Sequence, residues 1–262
     1  MLRELVANGV AADAVIGASV GAINGAWFAA APNRDGVAAL EAIWRALDRA
    51  RVFPLGWRVL AALLGRRDSV VDPGGLRGLL EEHLPYREIE RAAIPLHIVA
   101  TDLLGGGTVR LSRGPVVDAV LASCAIPAAF PPVHLDGHYL VDGAVASNTP
   151  IRVAVDCGAT RILVLPTGYA CALREPPRGA IACALQAITL LTAQQLVGEI
   201  ERFRDRVEIV TVPPLCPLAV SPYDFSHGAE LIERAAVQTR RWLDSGGLST
   251  TRVPGALRAH VD

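Results

Sequence analysis

Short apolar runs alternate along the chain with longer segments whose apolar positions recur at helical spacing. This rhythm predicts an α/β fold built on a largely parallel central sheet. The strand-like runs are 13–17, 94–102, 107–112, 138–141, 160–166 and 207–212. The helical segments are 1–8, 19–31, 35–49, 74–84, 115–123, 150–157, 179–204 and 226–244. Pro150 suits the first turn of its helix, with Thr149 placed to cap it. Pro-rich loops are expected at 126–132 and 213–222, and a frayed end over the last eleven residues. Neither an internal repeat nor a separating linker is evident, so residues 1–262 read as one domain.

Two segments break the rhythm. Residues 179–198 carry no charge for twenty positions, close to the length that crosses a bilayer. Gln186, Gln194 and Gln195 interrupt that run and Ala and Gly fill much of it, so a buried core helix is the better expectation. Residues 51–71 set Phe53, Trp57, Val59, Leu60, Leu63 and Leu64 beside Arg58, Arg66 and Arg67. That pattern suits either a helix packed on the core or a lid or interfacial segment lying on lipid.

Composition narrows the function mainly by exclusion. A chain of 262 residues with 52% hydrophobic content and mean hydropathy +0.36 has material for a sizeable core. All 25 basic residues are Arg, but they are scattered among 26 acids for a net charge of −1. A nucleic-acid footprint would be clustered, so no nucleic-acid partner is expected. Cys124, Cys157, Cys171, Cys183 and Cys216 form no CxxC pair and read as small buried hydrophobes in a reducing compartment. Met1 opens directly onto a helical pattern, without a charged-then-apolar leader, so a cytoplasmic location is the expectation. Neither a metal nor another cofactor is called for: no His/Asp/Glu cluster or acid-rich calcium loop appears in the sequence.

The sharpest chemical signal is Gly17-Ala18-Ser19-Val20-Gly21, a G-x-S-x-G pentapeptide between a strand-like and a helical segment. Such a turn exposes the serine, while Gly17 and Gly21 keep Cβ atoms away from it. The helix that follows aims its first amides, the backbone of Val20 among them, at the developing oxyanion. Serine needs a base. Of the six histidines, His97 looks like core, His83 and His260 like surface, and His134 and His138 flank a Pro-rich turn. His227, at a helix start, is the best of them for a triad. The other route is a carboxylate acting directly, and Asp142 closes a strand just before Gly143 and Ala144. At the carboxyl edge of a parallel sheet it would lie beside Ser19.

Several segments resemble the patatin-like phospholipases, in the family's order: 17–25 (GASVGAING), 100–115 (ATDLLGGGTVRLSRGP), 122–133 (ASCAIPAAFPPV) and 138–151 (HYLVDGAVASNTPI). Residues 224–235 (DFSHGAELIERA) resemble the bacterial branch. The resemblance implies a three-layer α/β sandwich, a Ser–Asp dyad without His, and hydrolysis of acyl esters of phospholipids or related lipids; peripheral membrane contact is expected only if residues 51–71 lie on lipid. Ser19 takes the nucleophile position and Asp142 the base position, with Ala144 standing where Gly is commoner.

The family also carries a strand and a Gly-rich G-G-G-x-R/K-G loop whose amides form the oxyanion hole. That loop is expected ahead of Met1, so the chain reads as N-terminally truncated relative to the family. Gly105-Gly106-Gly107, between two strand-like runs, reads instead as a hairpin turn. Three other readings stay open: a catalytically impaired lipid-binding scaffold, an acyltransferase or thioesterase using the same acyl-serine, and an α/β hydrolase with His227 in a triad.

Overall fold

The computed structural model of the chain describes residues 1–47, 71–127, 129–167, 175–176, 179–218, 220 and 225–257. The interfacial segment expected at 51–71, apart from Val71, lies outside the described residues, as do Cys171 and His260. Two compact units form: Val10–Pro150, and Met1–Gly9 together with Ile151–Asp262.

In the unit Val10–Pro150, β1 (Val15–Ala18) runs parallel to β2 (Leu96–Asp102), with Val15 opposite Leu96 and Ala18 opposite Val99. One edge of β2 takes β3 (Thr108–Leu111), antiparallel, along Ile98–Thr101. The other edge is shared. β1 covers it as far as Val99, and β5 (His138–Asp142) takes over from Ala100, where Asp142 pairs. Since β5 runs antiparallel to β2, the carboxyl ends of β1 and β5 meet head-on beside Val99 and Ala100. β4 (Val133–Leu135) pairs with β5 across a two-residue turn, Asp136 and Gly137, both at positive φ.

The sheet is therefore mixed. The largely parallel arrangement expected from the sequence holds for β1–β2, while β3, β4 and β5 run antiparallel. Alternating apolar runs look alike in either direction, so hydropathy alone could not separate the two. The Gly105–Gly107 stretch forms the expected hairpin between β2 and β3.

Helices cover this sheet closely. A Cβ on Gly25 of α2 (Val20–Ala30) would come within 2.9 Å of Val15 Cγ1, so glycine sets the helix–strand spacing. Further along the unit come α3 (Arg34–Ala46), α4 (Gly74–His83) and α5 (Val116–Ser123). α5 buries seven of its eight residues, which places its C-terminal Ser123 inside the core. A single turn, α6 (Ala144–Ser147), follows β5.

The other unit carries α1 (Leu2–Ala7), α7 (Ile151–Asp156), the parallel pair β6 (Arg161–Val164) and β7 (Glu208–Thr211), α8 (Ala180–Phe203) and α9 (Gly228–Asp244). Ile151, Val164, Leu196, Ile200, Phe203, Val207, Ile209 and Leu257 make its core. The core-helix expectation for 179–198 is corrected here: Leu196 and, beyond that stretch, Ile200 and Phe203 are buried, but Ile188, Leu190 and Leu191 are exposed. Among the described residues, no helix is long and apolar enough to cross a membrane.

Candidate active site

Ser19 stands at the end of β1 as the residue preceding α2, with φ 54 and ψ −127. A non-glycine residue in that region stores strain of order 1–3 kcal/mol, which the surrounding contacts must hold. Gly17 makes the turn possible, since a Cβ there would collide with the Gly21 carbonyl. At Gly21 a Cβ would meet nothing within 4 Å, so the steric need expected of both glycines falls on Gly17 alone. The first intrahelical bonds of α2 run from Ala22 and Ile23 to the Ser19 carbonyl. The Val20 and Gly21 amides therefore lie ahead of them, at the positive end of the helix.

The head-on meeting of β1 and β5 brings Asp142 to Ser19. Ser19 Oγ donates to Asp142 Oδ2 at 2.7 Å, and the Ala144 N–H donates to Oδ1 at 2.8 Å. Gly143 lets the two chain ends close up, because a Cβ there would overlap the Val99 carbonyl and touch Ala18 Cβ. Asp142 is only 3% exposed. Burial pushes its carboxyl up to about 6, against the opposing pull of the bonds from Ser19 and Ala144. The neighbouring Cys124 thiol is pushed up as well, by burial first and then by the Asp142 charge.

Two hydroxyls that the sequence did not single out hold this arrangement. Ser123 Oγ accepts the Ser19 N–H at 2.9 Å and donates to the Val99 carbonyl at 2.6 Å. Its carbonyl accepts from Gly143 N–H, and Asp142, the residue before Gly143, donates its N–H to the Ala125 carbonyl. Ser123 thus joins β1, β2 and the end of β5 at one point. Thr101 Oγ1 donates to the Asp142 carbonyl at 2.9 Å and accepts from Ala146 N–H at 3.1 Å, fixing α6 to the sheet. In the sequence Ser123 shows only as a hydroxyl in the apolar stretch Ala122-Ser123-Cys124-Ala125 and as part of the family-like segment 122–133.

Among the described histidines of the unit Val10–Pro150, none shares a hydrogen bond with Ser19 or Asp142. His227 faces Glu230 at 3.4 Å and His138 faces Asp102 at 3.5 Å, while His134 packs on the Tyr139 ring. His97 is partly buried, with its Nδ1 unpaired. The cysteine expectation holds for Cys124; Cys157 and Cys183 are exposed and Cys216 intermediate. Among the described residues, no group of three or more His, Cys, Asp and Glu gathers as a metal site. An apolar cavity of about 210 Å³ lies between α3 and α4, lined by Ala42, Ile43, Ala46, Leu47, Leu79 and His83. Neither Ser19 nor Asp142 reaches it.

The chain is similar to several known proteins. The Patatin-like phospholipase family model matches residues 1–155. An uncharacterized NTE family protein of Mycobacterium tuberculosis is 44% identical over 63 residues, 24% of this chain and 18% of that protein. A second from the same organism is 35% identical over 156 residues, 58% of this chain and 24% of that protein. Patatin-like phospholipase domain-containing protein 7 of Mus musculus is 26% identical over 170 residues, 64% of this chain and 12% of that protein. The chain thus spans between 12% and 24% of the length of these relatives. Among solved structures, VipD from Legionella pneumophila aligns with a TM-score of 0.43 at 16% identity, covering 93% of this chain and 63% of that one. The family match covers more than half of the sequence and contains both Ser19 and Asp142, and the chain belongs to the patatin-like phospholipase family.

Proposed function

We propose that this chain hydrolyses carboxylic esters of lipids through an acyl-serine intermediate, with Ser19 as nucleophile and Asp142 as its base. The observation that carries the proposal is the 2.7 Å contact from Ser19 Oγ to a carboxylate that is buried and of raised proton affinity. A carboxylate that titrates near 6 is ionised at neutral pH, yet it is a stronger base than one in water.

The steps follow from the contacts. As Ser19 Oγ attacks the ester carbonyl carbon, its proton passes to Asp142 Oδ2 and negative charge grows on the carbonyl oxygen. The Val20 amide, at the start of α2, faces that charge without needing to reorganise. Collapse of the tetrahedral species expels the alcohol, which takes the proton from Asp142. Water then attacks the acyl-serine, gives its proton to Asp142 and releases the fatty acid, after which Ser19 recovers a proton. Ala144 N–H holds Oδ1 throughout, so Oδ2 stays aimed at Ser19.

Acid quenching during turnover of a p-nitrophenyl fatty ester, followed by peptide mass analysis, tests the proposal. The expected result is a fatty-acyl mass on the peptide containing Ser19, together with fatty acid release from phosphatidylcholine. An acyl mass on another residue, or none with no release, would overturn it.

A further inference from the structure

The hairpin between β2 and β3 ends in Leu103-Leu104-Gly105-Gly106-Gly107, and residues 103–109 carry no ionisable group. Leu103 is 50% exposed and Leu104 79%. Single exposed apolar residues are ordinary on a soluble protein, but clustered ones mark interaction surfaces. Here they cluster. Among the described residues of the unit Val10–Pro150, the large hydrophobics left exposed are Leu103, Leu104, Tyr139 and Val145.

Tyr139 and Val145 sit on the stretch that carries Asp142, and Leu103 and Leu104 continue β2, the strand with which that stretch pairs. Leu103 N–H donates to the Tyr139 carbonyl at 2.7 Å, so these two residues lie across from each other, three positions beyond the Ala100–Asp142 pair. That separation is about 10 Å along the strands. Val145 opens outward from α6, three residues after Asp142. The tip is also held in place. Asp102 N–H donates to Gly107, Gly106 N–H to Asp102, and Leu104 N–H reaches Asp102 Oδ1 at 3.3 Å. The leucines are therefore presented to water instead of folding back. Below them, Asp102 and His138 make a polar collar, with 3.5 Å between Oδ2 and Nδ1. An apolar tip above a polar collar, with an aromatic ring beside it, matches the layering of a lipid interface, where apolar groups sink about 5–10 Å.

We propose that Leu103 and Leu104, flanked by Tyr139 and Val145, form a docking rim that seats this enzyme in the acyl–headgroup boundary of a lipid surface. The rim lies about 10 Å along the strands from Asp142, which holds Ser19 Oγ. The inference rests on the acyl-hydrolase reading above, and it names how that site meets an insoluble substrate.

Co-sedimentation of the 262-residue chain with neutral phosphatidylcholine vesicles tests it. The expected result is binding that persists at high salt and falls about a hundredfold in Leu103→Asp/Leu104→Asp, since each leucine contributes about tenfold on burial. If the double variant fails to fold, Leu104→Asp at the exposed tip gives the same readout. No binding by the parent chain, equal binding by parent and variant, or binding lost in salt would each overturn the rim. So would a dimer that the variant dissociates, which would assign the tip to a second copy of the chain. Labelling of the parent at Ser19 by a soluble fluorophosphonate reads the dyad separately. A chain that labels without binding vesicles refutes the rim alone, and one that binds through the tip without labelling refutes the hydrolase reading alone.

Discussion

Glu4 and Asp142 are both buried carboxylates, 4% and 3% exposed, and their proton affinities move in opposite directions. Glu4, on α1, accepts from the Arg240 guanidinium at 2.9 and 3.1 Å and from Arg3 at 3.2 Å. The Arg240 hydrogen bond leads in holding its carboxyl below the usual range, against the cost of burial. Asp142, at the end of β5, has for partners a serine hydroxyl and one backbone amide, both neutral. They offset only part of the desolvation, and the carboxyl rises to about 6. A buried acid matched with cations fastens helices together. A buried acid matched with neutral donors is poised to take a proton, and the donor that it holds is Ser19.

Substitutions separate the two roles, and the largest effect belongs to Asp142→Asn. It keeps the shape and removes the carboxylate proposed as the base, so turnover of a soluble ester should fall by about 10²- to 10⁴-fold, as steady-state kinetics would record. Undiminished turnover would assign the proton to another group. The same variant should gain stability, with a sign set by the shift. Because the folded-state affinity is raised from 3.8 to about 6, Asp142 favours the folded state below pH 4 and loses that contribution as pH rises through 6. A gap of about two pH units is worth about 3 kcal/mol. Denaturant melts should therefore show Asp142→Asn overtaking the parent between pH 4 and 7, and parallel curves would refute the raised affinity.

Ser123→Ala comes next. It leaves the half-buried Ser19 amide and the buried Val99 carbonyl without the Ser123 hydroxyl, at about 1–3 kcal/mol of stability. If Ser123 positions Ser19 for the proposed attack, kcat should drop about tenfold or more while the pH midpoint near 6 stays, because Asp142 is untouched. A loss of stability with kcat intact would make Ser123 a packing residue only. The smallest effect is expected from Glu4→Gln, which lowers Tm near neutral pH. Glu4 stabilises above its unfolded-state range and the contribution fades as acid protonates it, so the Tm difference should vanish at low pH. Labelling at Ser19 should persist, and its loss would tie α1 to the dyad.

The sequence exposed the parts of this site that depend on near neighbours. Ser19 was legible because a strand, a glycine, a serine and a helix follow one another within a few residues. Asp142 was legible as an acid closing a strand before Gly143. The reason given for their meeting was different from the one observed. A shared parallel edge was expected, whereas β1 and β5 approach head-on along one edge of β2. Strand direction leaves no mark on an alternating apolar run. Ser123 and Thr101 act on chain segments distant in sequence, and nothing local distinguishes them from other small hydroxyls. β4 was hidden by the prolines around it, and α6 is a single turn, too short for helical periodicity to show.

The most direct test of the account is the rate at which a fluorophosphonate probe labels the chain as pH is varied, with the adduct mapped by peptide mass spectrometry. The account predicts an adduct on Ser19 that forms faster as pH rises through about 6, is absent in Ser19→Ala and is strongly slowed in Asp142→Asn. Labelling at full rate in Asp142→Asn, or an adduct on another residue, would contradict it.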